Sequence, residues 1–217
     1  MSATDSGPLS SAARLSVSDL CCWRGERCMF EGLSFELQAG EIAQIRGQNG
    51  SGKTTLLRTL CGLTEAHSGS ISWEGLSLES SAASYKRALS YVGHFDGIKL
   101  DLSVTENIDI TRGYQLAPSD TPTDSILDRL GIREFEDAIV RTLSAGQRRR
   151  VALSRLLLSS ASLWLLDEPF TALDQAGEGL ISGLLTEHLQ AGGVAVFSSH
   201  QISPSLERPV IDIELDP

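Results

Sequence analysis

Two stretches carry residue types that could handle a phosphorylated substrate. The first is GQNGSGKT, Gly47 to Thr54, which fits the pattern G-x-x-x-x-G-K-[ST] completely. In such a loop, Gly47, Gln48, Asn49, Gly50, Ser51 and Gly52 can turn backbone N–H groups inward onto phosphate oxygens. Lys53 would reach the β- and γ-phosphates, the Thr54 hydroxyl would ligate Mg²⁺, and Thr55 adds a hydroxyl near the α-phosphate. The second stretch is LWLLDE, Leu163 to Glu168, four apolar residues followed by two acids. A buried strand ending at Asp167 sets a carboxylate beside the metal, where it would hold Mg²⁺ through water. Glu168 then becomes the general base that polarises an attacking water.

A third stretch, LSAGQRRR at Leu143 to Arg150, has no chemical partner nearby in sequence. Ser144, Ala145, Gly146 and Gln147 stand at the start of a helix, RRRVALSRLLL, whose amino terminus favours an anion. Arg148, Arg149 and Arg150 fall at successive helical angles and cannot all face one ligand, so they read as a mostly solvated basic face with some ion pairs or subunit contacts.

The elements that must position these residues alternate. RLSVSDLCCW, LSFELQ, EIAQIRG, SGSISWEG and LSYVGH read as strands, and GQNGSGKTTLLRTLCGL is a loop running into a helix. Strand patterns then vanish until ASLWLLDE, so a helical insertion of about residues 96–160 is expected. LISGLLTEHLQ is an amphipathic helix ended by Ala-Gly-Gly, GVAVFSSH a buried strand, and VIDIEL an edge strand. The fold class is α/β, with a mainly parallel core sheet and the ligand at the carboxyl ends of its strands. Residues 1–13, small and polar, read as a loose tail without the features of a signal peptide, and residues 14–217 as a single domain.

Bulk composition narrows the classes. The 217 residues are 41% hydrophobic and 21% charged, enough to bury a substantial core. A net charge of −10 argues against general nucleic-acid binding, and no apolar run is long enough to span a bilayer. Cys21, Cys22, Cys28 and Cys61 make no zinc spacing and read as small apolar residues in a reducing compartment.

Together GQNGSGKT, LSAGQ and LWLLDEPFTALD resemble the ATP-binding cassette family from about Arg14 to His200, with Ala145 replacing the usual glycine of LSGGQ. The resemblance implies a P-loop NTPase nucleotide-binding domain of that type, with an antiparallel β subdomain beside the parallel sheet and a helical insertion. It implies ATP and Mg²⁺ as cofactors, and a head-to-tail dimer in which the LSAGQ segment of one copy caps ATP held by the other. It makes Asp174 of TALD part of the loop through which the two sites sense each other, and His200 the switch histidine that contacts the γ-phosphate. The adenine position falls on Arg24, next to Trp23, so a ring stack on Trp23, a cation–π contact from Arg24, or a core role for Trp23 all stay open. His94 stands where the family carries a glutamine that touches Mg²⁺.

GH-x-x-G-I-K, LSAGQRRRVALSRLLL and LWLLDEPFTALD are most similar to the ATPase subunits of bacterial cytochrome c maturation. That similarity implies integral membrane partners, a peripheral place on the cytoplasmic face of the inner membrane, and ATP-driven haem export or release of haem from a periplasmic chaperone. No residue set resembles a haem ligand site, since His67, His94, His188 and Cys61 have ordinary readings, so haem is not expected to touch this chain. Phe95, Ile98 and Leu100 are candidates for membrane-subunit contact or for core. Cassette motifs alone do not choose cargo. A lipid or drug exporter ATPase remains an alternative, and a soluble cassette protein a weaker one; a small-molecule kinase would leave LSAGQ and TALD unexplained.

Overall fold

The computed structural model describes residues 14–199, 206 and 208–215. Two antiparallel strands open the chain, β1 (Leu15–Arg24) and β2 (Arg27–Leu37), followed by β3 (Ile42–Arg46) and α1 (Lys53–Leu60). Then come β4 (Ser68–Trp73), β5 (Leu76–Ser77), α2 (Ala82–Ala88) and β6 (Leu89–Val92). Helices α3 (Val104–Gly113), α4 (Thr123–Leu130) and α5 (Ala145–Leu157) follow, with two 3-10 turns between the last two. The chain returns through β7 (Leu163–Asp167), α6 (Gln175–Gln190), β8 (Val194–Ser198) and β9 (Val210–Glu214).

These strands form two sheets. An antiparallel sheet has the order β2-β1-β4-β5, and a second sheet the order β6-β7-β8-β3-β9 with every pairing parallel. The parallel strands read as continuous apolar runs because both faces are covered. Successive residues alternate between two cores. Leu163, Leu165, Val194, Val196, Ala43 and Ile45 pack towards α1 and the antiparallel sheet. Trp164, Leu166, Ala195, Phe197 and Ile42 pack towards α3, α4, α5 and α6. Slipping the register of any of these strands by one residue would exchange its two side-chain sets, so the pattern fixes which core each residue enters.

The sequence reading missed α2, whose segment has no sustained apolar face. It is anchored by one residue: Tyr85 is 2% exposed and its hydroxyl donates to Leu60 O at 2.6 Å. Strand β2 also runs further back than LSFELQ, pairing Arg27 with Arg24 and Cys28 with Trp23.

Strand order does the positioning. β8 lies between β7 and β3, with Ser198 in register with both Asp167 and Ile45. The end of β7, the end of β8 and the loop after β3 therefore meet at one carboxyl edge, where open parallel sheets bind ligands.

Candidate functional site

The loop between β3 and α1 is shaped by glycine. Gly47 has φ 147°, and a Cβ there would lie 2.7 Å from Leu215 O and closer still to Ser51 Oγ. Gly52 caps α1 at φ 108°, a conformation that L side chains rarely adopt. Inside this cradle Lys53 is 6% exposed and its ammonium donates to Gly47 O at 2.7 Å and Gln48 O at 2.9 Å. Burial lowers the Lys53 pKa, opposed by the negative charges of Glu168 and Asp167. The ammonium thus lies folded over its own loop, held by carbonyls that a phosphate could displace.

The acid pair sits at the end of β7. Asp167 is 1% exposed, and its Oδ1 accepts a hydrogen bond from Ser198 Oγ at 2.7 Å. The same hydroxyl accepts from the Glu168 amide at 2.9 Å. Asp167 Oδ2 is buried with no hydrogen-bond partner among the described residues. An anionic oxygen left this way is costly unless a cation or its water completes it. Glu168 takes φ 50°, unusual for a residue with a side chain. Its Oε2 accepts from Thr171 Oγ1 at 3.2 Å and lies 3.9 Å from His94 Nδ1.

A cleft of about 430 Å³ joins these pieces. Asn49, Gly50, Gly52, Lys53, Thr54 and Thr55 line it from the phosphate loop, Arg24, Arg27 and Met29 from the β1–β2 hairpin, and His94 and Glu168 from the far side. Arg24 thus borders the cleft. Trp23 does not line it, and its indole instead donates to Cys21 Sγ at 3.2 Å while the residue stays 40% exposed. The sequence reading overlooked Arg27 and Met29, which only the hairpin register brings to the loop. It also overlooked Ser198, whose one cue was its place at the end of an apolar strand. His200 lies outside the described residues.

Ser144 and Gln147 occupy the N-terminus of α5, and none of residues 144–147 lines the cleft of their own chain. They close a capping box: Ser144 Oγ accepts from the Gln147 amide at 3.2 Å, and Gln147 Oε1 accepts from the Ser144 amide at 2.8 Å. Ala145 is exposed. Gly146 passes close to the TALD loop, and a Cβ on it would stand 3.1 Å from Ala172 O.

The three arginines do not form a solvated basic face. Arg148 donates to Leu143 O at 2.7 Å. Arg149 is 5% exposed and points inward to the acid pair. Arg150 donates to Asp174 Oδ1 at 3.0 Å. Asp174 also caps α6 by accepting from the Gly177 amide at 2.9 Å, and that bond, with Arg150, holds its pKa below the usual carboxylate value. Periodicity places three successive side chains around a helix, but a helix packed against β6, α3 and α4 leaves only part of its circumference to solvent.

The profile of the ABC transporter family matches residues 30–171. The chain belongs to the ABC transporter family. The "Cytochrome c biogenesis ATP-binding export protein CcmA" of Nitrosococcus oceani is 46% identical over 187 residues, covering 86% of each chain. The protein of the same name from Vibrio cholerae is 44% identical over 86% of this chain and 91% of its own. Among solved structures, an ABC transporter ATP-binding protein from Pyrococcus furiosus superposes with a TM-score of 0.77 at 22% identity, covering 93% of this chain and 96% of that one. That likeness speaks for the fold. As an ABC ATPase domain, the chain binds and hydrolyses ATP. No helix among the described residues is long and apolar enough to cross a membrane.

Proposed function

We propose that this chain is the ATP-hydrolysing subunit of a membrane ABC complex for cytochrome c maturation, driving haem export or the release of haem from a periplasmic chaperone. The observation that carries this reading is the similarity, at 44–46% identity across most of the chain, to proteins named for cytochrome c biogenesis. The cleft supplies the chemistry. ATP lies with its phosphates in the Gly47–Thr54 loop and its base towards Arg24. Lys53 turns from its own carbonyls to the β- and γ-phosphates. Thr54 and Asp167, with its unpartnered Oδ2, are the residues that would hold Mg²⁺, and His94 borders the same cleft. Bound Mg²⁺ supplies charge neutralisation on the phosphate oxygens. Among the described residues no cluster of His, Cys, Asp or Glu is arranged to hold a metal by itself. That suits a hard ion kept largely by water and phosphate. Glu168 accepts the proton of the attacking water, with His200 assigned to contact the γ-phosphate and steady that water.

A second copy of the chain completes each site. This is supported by the position of Ser144, Gly146 and Gln147 outside their own cleft. The integral membrane subunits of the complex then hold the pair at the cytoplasmic face of the inner membrane, and haem does not contact this chain.

The experiment has two arms. Deleting the protein in its host should abolish c-type cytochromes, and normal cytochrome levels would remove the maturation role. Mixing Lys53→Ala with Ser144→Ala protein should restore hydrolysis above either alone, because the mixed dimer assembles one intact site. Failure to complement would remove the shared site.

A further inference from the structure

The geometry points to Arg149 as a positioning residue for ATP hydrolysis, one buried guanidinium that holds the acid pair against the His94 segment. The inference rests on the ATPase reading above and concerns how Glu168 is aimed.

Arg149 Nη2 donates to Asp167 O at 2.7 Å and to Glu168 O at 3.1 Å. Its Nη1 donates to Gly93 O at 2.9 Å and to Asp96 Oδ1 at 3.3 Å. One nitrogen therefore grips the backbone of both acids, and the other grips both sides of His94. The result is His94 Nδ1 at 3.9 Å from Glu168 Oε2. The residue sits in α5, five positions after Ser144, so the same helix presents the phosphate-capping end.

Two physical points favour positioning over simple packing. First, the acceptors are carbonyls of the acids and not their carboxylates. An arginine on the carbonyls fixes the backbone from which the Glu168 side chain is aimed without itself bonding the carboxylate. This matters because Glu168 stands at φ 50°, a conformation that persists only where its surroundings enforce it. Second, the arrangement is expensive. The charge is 5% exposed, Asp96, which is its carboxylate partner among the described residues, keeps 28% of its side chain in solvent, and Arg149 Nε is buried without a partner among those residues. A packing role could be filled by an apolar side chain at lower cost. A planar fork that reaches four acceptors on two segments could not.

The test uses the full chain with Arg149→Gln, Arg149→Lys and Asp96→Asn, reading kcat and KM for ATP and the melting temperature. Arg149→Gln should lower kcat by about thirtyfold with KM within about twofold, since the phosphate loop is untouched, and Arg149→Lys should fall between it and the wild type. Asp96→Asn keeps an oxygen at the rim and should fold as the wild type does, but it removes the negative charge that anchors Arg149 Nη1, and the weaker bond should bring kcat down about fivefold. Adding it to Arg149→Gln should cost nothing more, because both act through one contact. Should the Arg149 variants not fold, Asp96→Asn alone decides. A wild-type kcat in Asp96→Asn, a loss confined to KM, or additive losses in the double variant would overturn the inference. A wild-type protein without Lys53-dependent hydrolysis would instead remove the ATPase reading, and this inference with it.

Discussion

Replacing Ser198 with alanine tests how the acid pair is held. The serine is 0% exposed, and its single hydroxyl serves two clients: it donates to Asp167 Oδ1 at 2.7 Å and accepts from the Glu168 amide at 2.9 Å. Removing it strips a bond to a charged acceptor, worth about 1.5–3 kcal/mol, and one to a peptide N–H, worth about 1 kcal/mol. The sum is roughly 3 kcal/mol. For a domain of this size each kcal/mol moves the melting temperature by about 2–4 °C, so Ser198→Ala should melt roughly 6–12 °C lower. A second effect follows from the orphaned Asp167 Oδ2. With neither oxygen anchored the carboxylate can rotate, and half-maximal ATPase activity should need several-fold more Mg²⁺. Thermal melts by circular dichroism and an Mg²⁺ titration of hydrolysis measure both, with Ser198→Thr as the variant that keeps a hydroxyl. A Ser198→Ala protein that melts within about 2 °C of the wild type, with an unchanged Mg²⁺ requirement, would refute the clamp.

Other outcomes can be checked alongside. Gly47→Ala forces φ 147° on an alanine and drives its Cβ to 2.7 Å from Leu215 O, so the strain of about 1–3 kcal/mol should weaken ATP binding roughly 5- to 150-fold by calorimetry. Glu168→Gln should bind ATP, stop turning over and accumulate as a closed dimer on a sizing column; turnover at the wild-type rate would deny the glutamate its role. Ser144→Ala loses a helix cap worth about 1 kcal/mol, a shift of only about 2–4 °C, so an ATPase loss of a hundredfold would belong to the site and not to stability. His188, stacked on Trp164 at 3.9 Å, has its pKa pushed down by burial from 6.5 to about 4. The fold therefore prefers the neutral ring. Its contribution is complete above pH 6.5 and is lost as pH falls from 6.5 towards 4, by about 3 kcal/mol, and urea melts of His188→Phe should show that much less pH dependence across this window.

What the sequence disclosed was whatever is encoded locally. GQNGSGKT announces its loop because only glycine tolerates the turns, and LWLLDE announces a buried strand because all five residues of β7 are buried. Order along the sheet is a different matter. Nothing in GVAVFSS says that β8 inserts between β7 and β3, and it is that insertion which makes Ser198 a partner of Asp167. Arg149 was hidden for the same reason. Its four acceptors lie at least 18 residues away in the chain, so the run of three arginines looked like surface. Arg27 and Met29 needed the hairpin register. Helix α2 needed Tyr85 reaching Leu60.

The arginine run also bears on how two sites could sense one another. Arg149 joins α5 to the carbonyls of the acid pair, and Arg150 joins it to Asp174. Asp174 is in turn the cap of α6, and a Cβ on Gly146 would press on Ala172 O at 3.1 Å. The first turns of α5 are therefore tied through two arginines to the end of β7 and the chain that follows it. In a head-to-tail pair, a phosphate pressing on Ser144 would load an element whose next rigid attachments are the acids of that same chain's own site. A displacement of α5 must either carry Asp167 and Glu168 with it or break buried bonds to a guanidinium, each worth about 1.5–3 kcal/mol. Occupancy at one cleft would then bias the geometry of the other without any longer path between them, and removing the Arg150–Asp174 bond by Arg150→Ala should loosen that dependence, read as a lower Hill coefficient for ATP, while leaving each phosphate loop and the Asp174 cap of α6 intact.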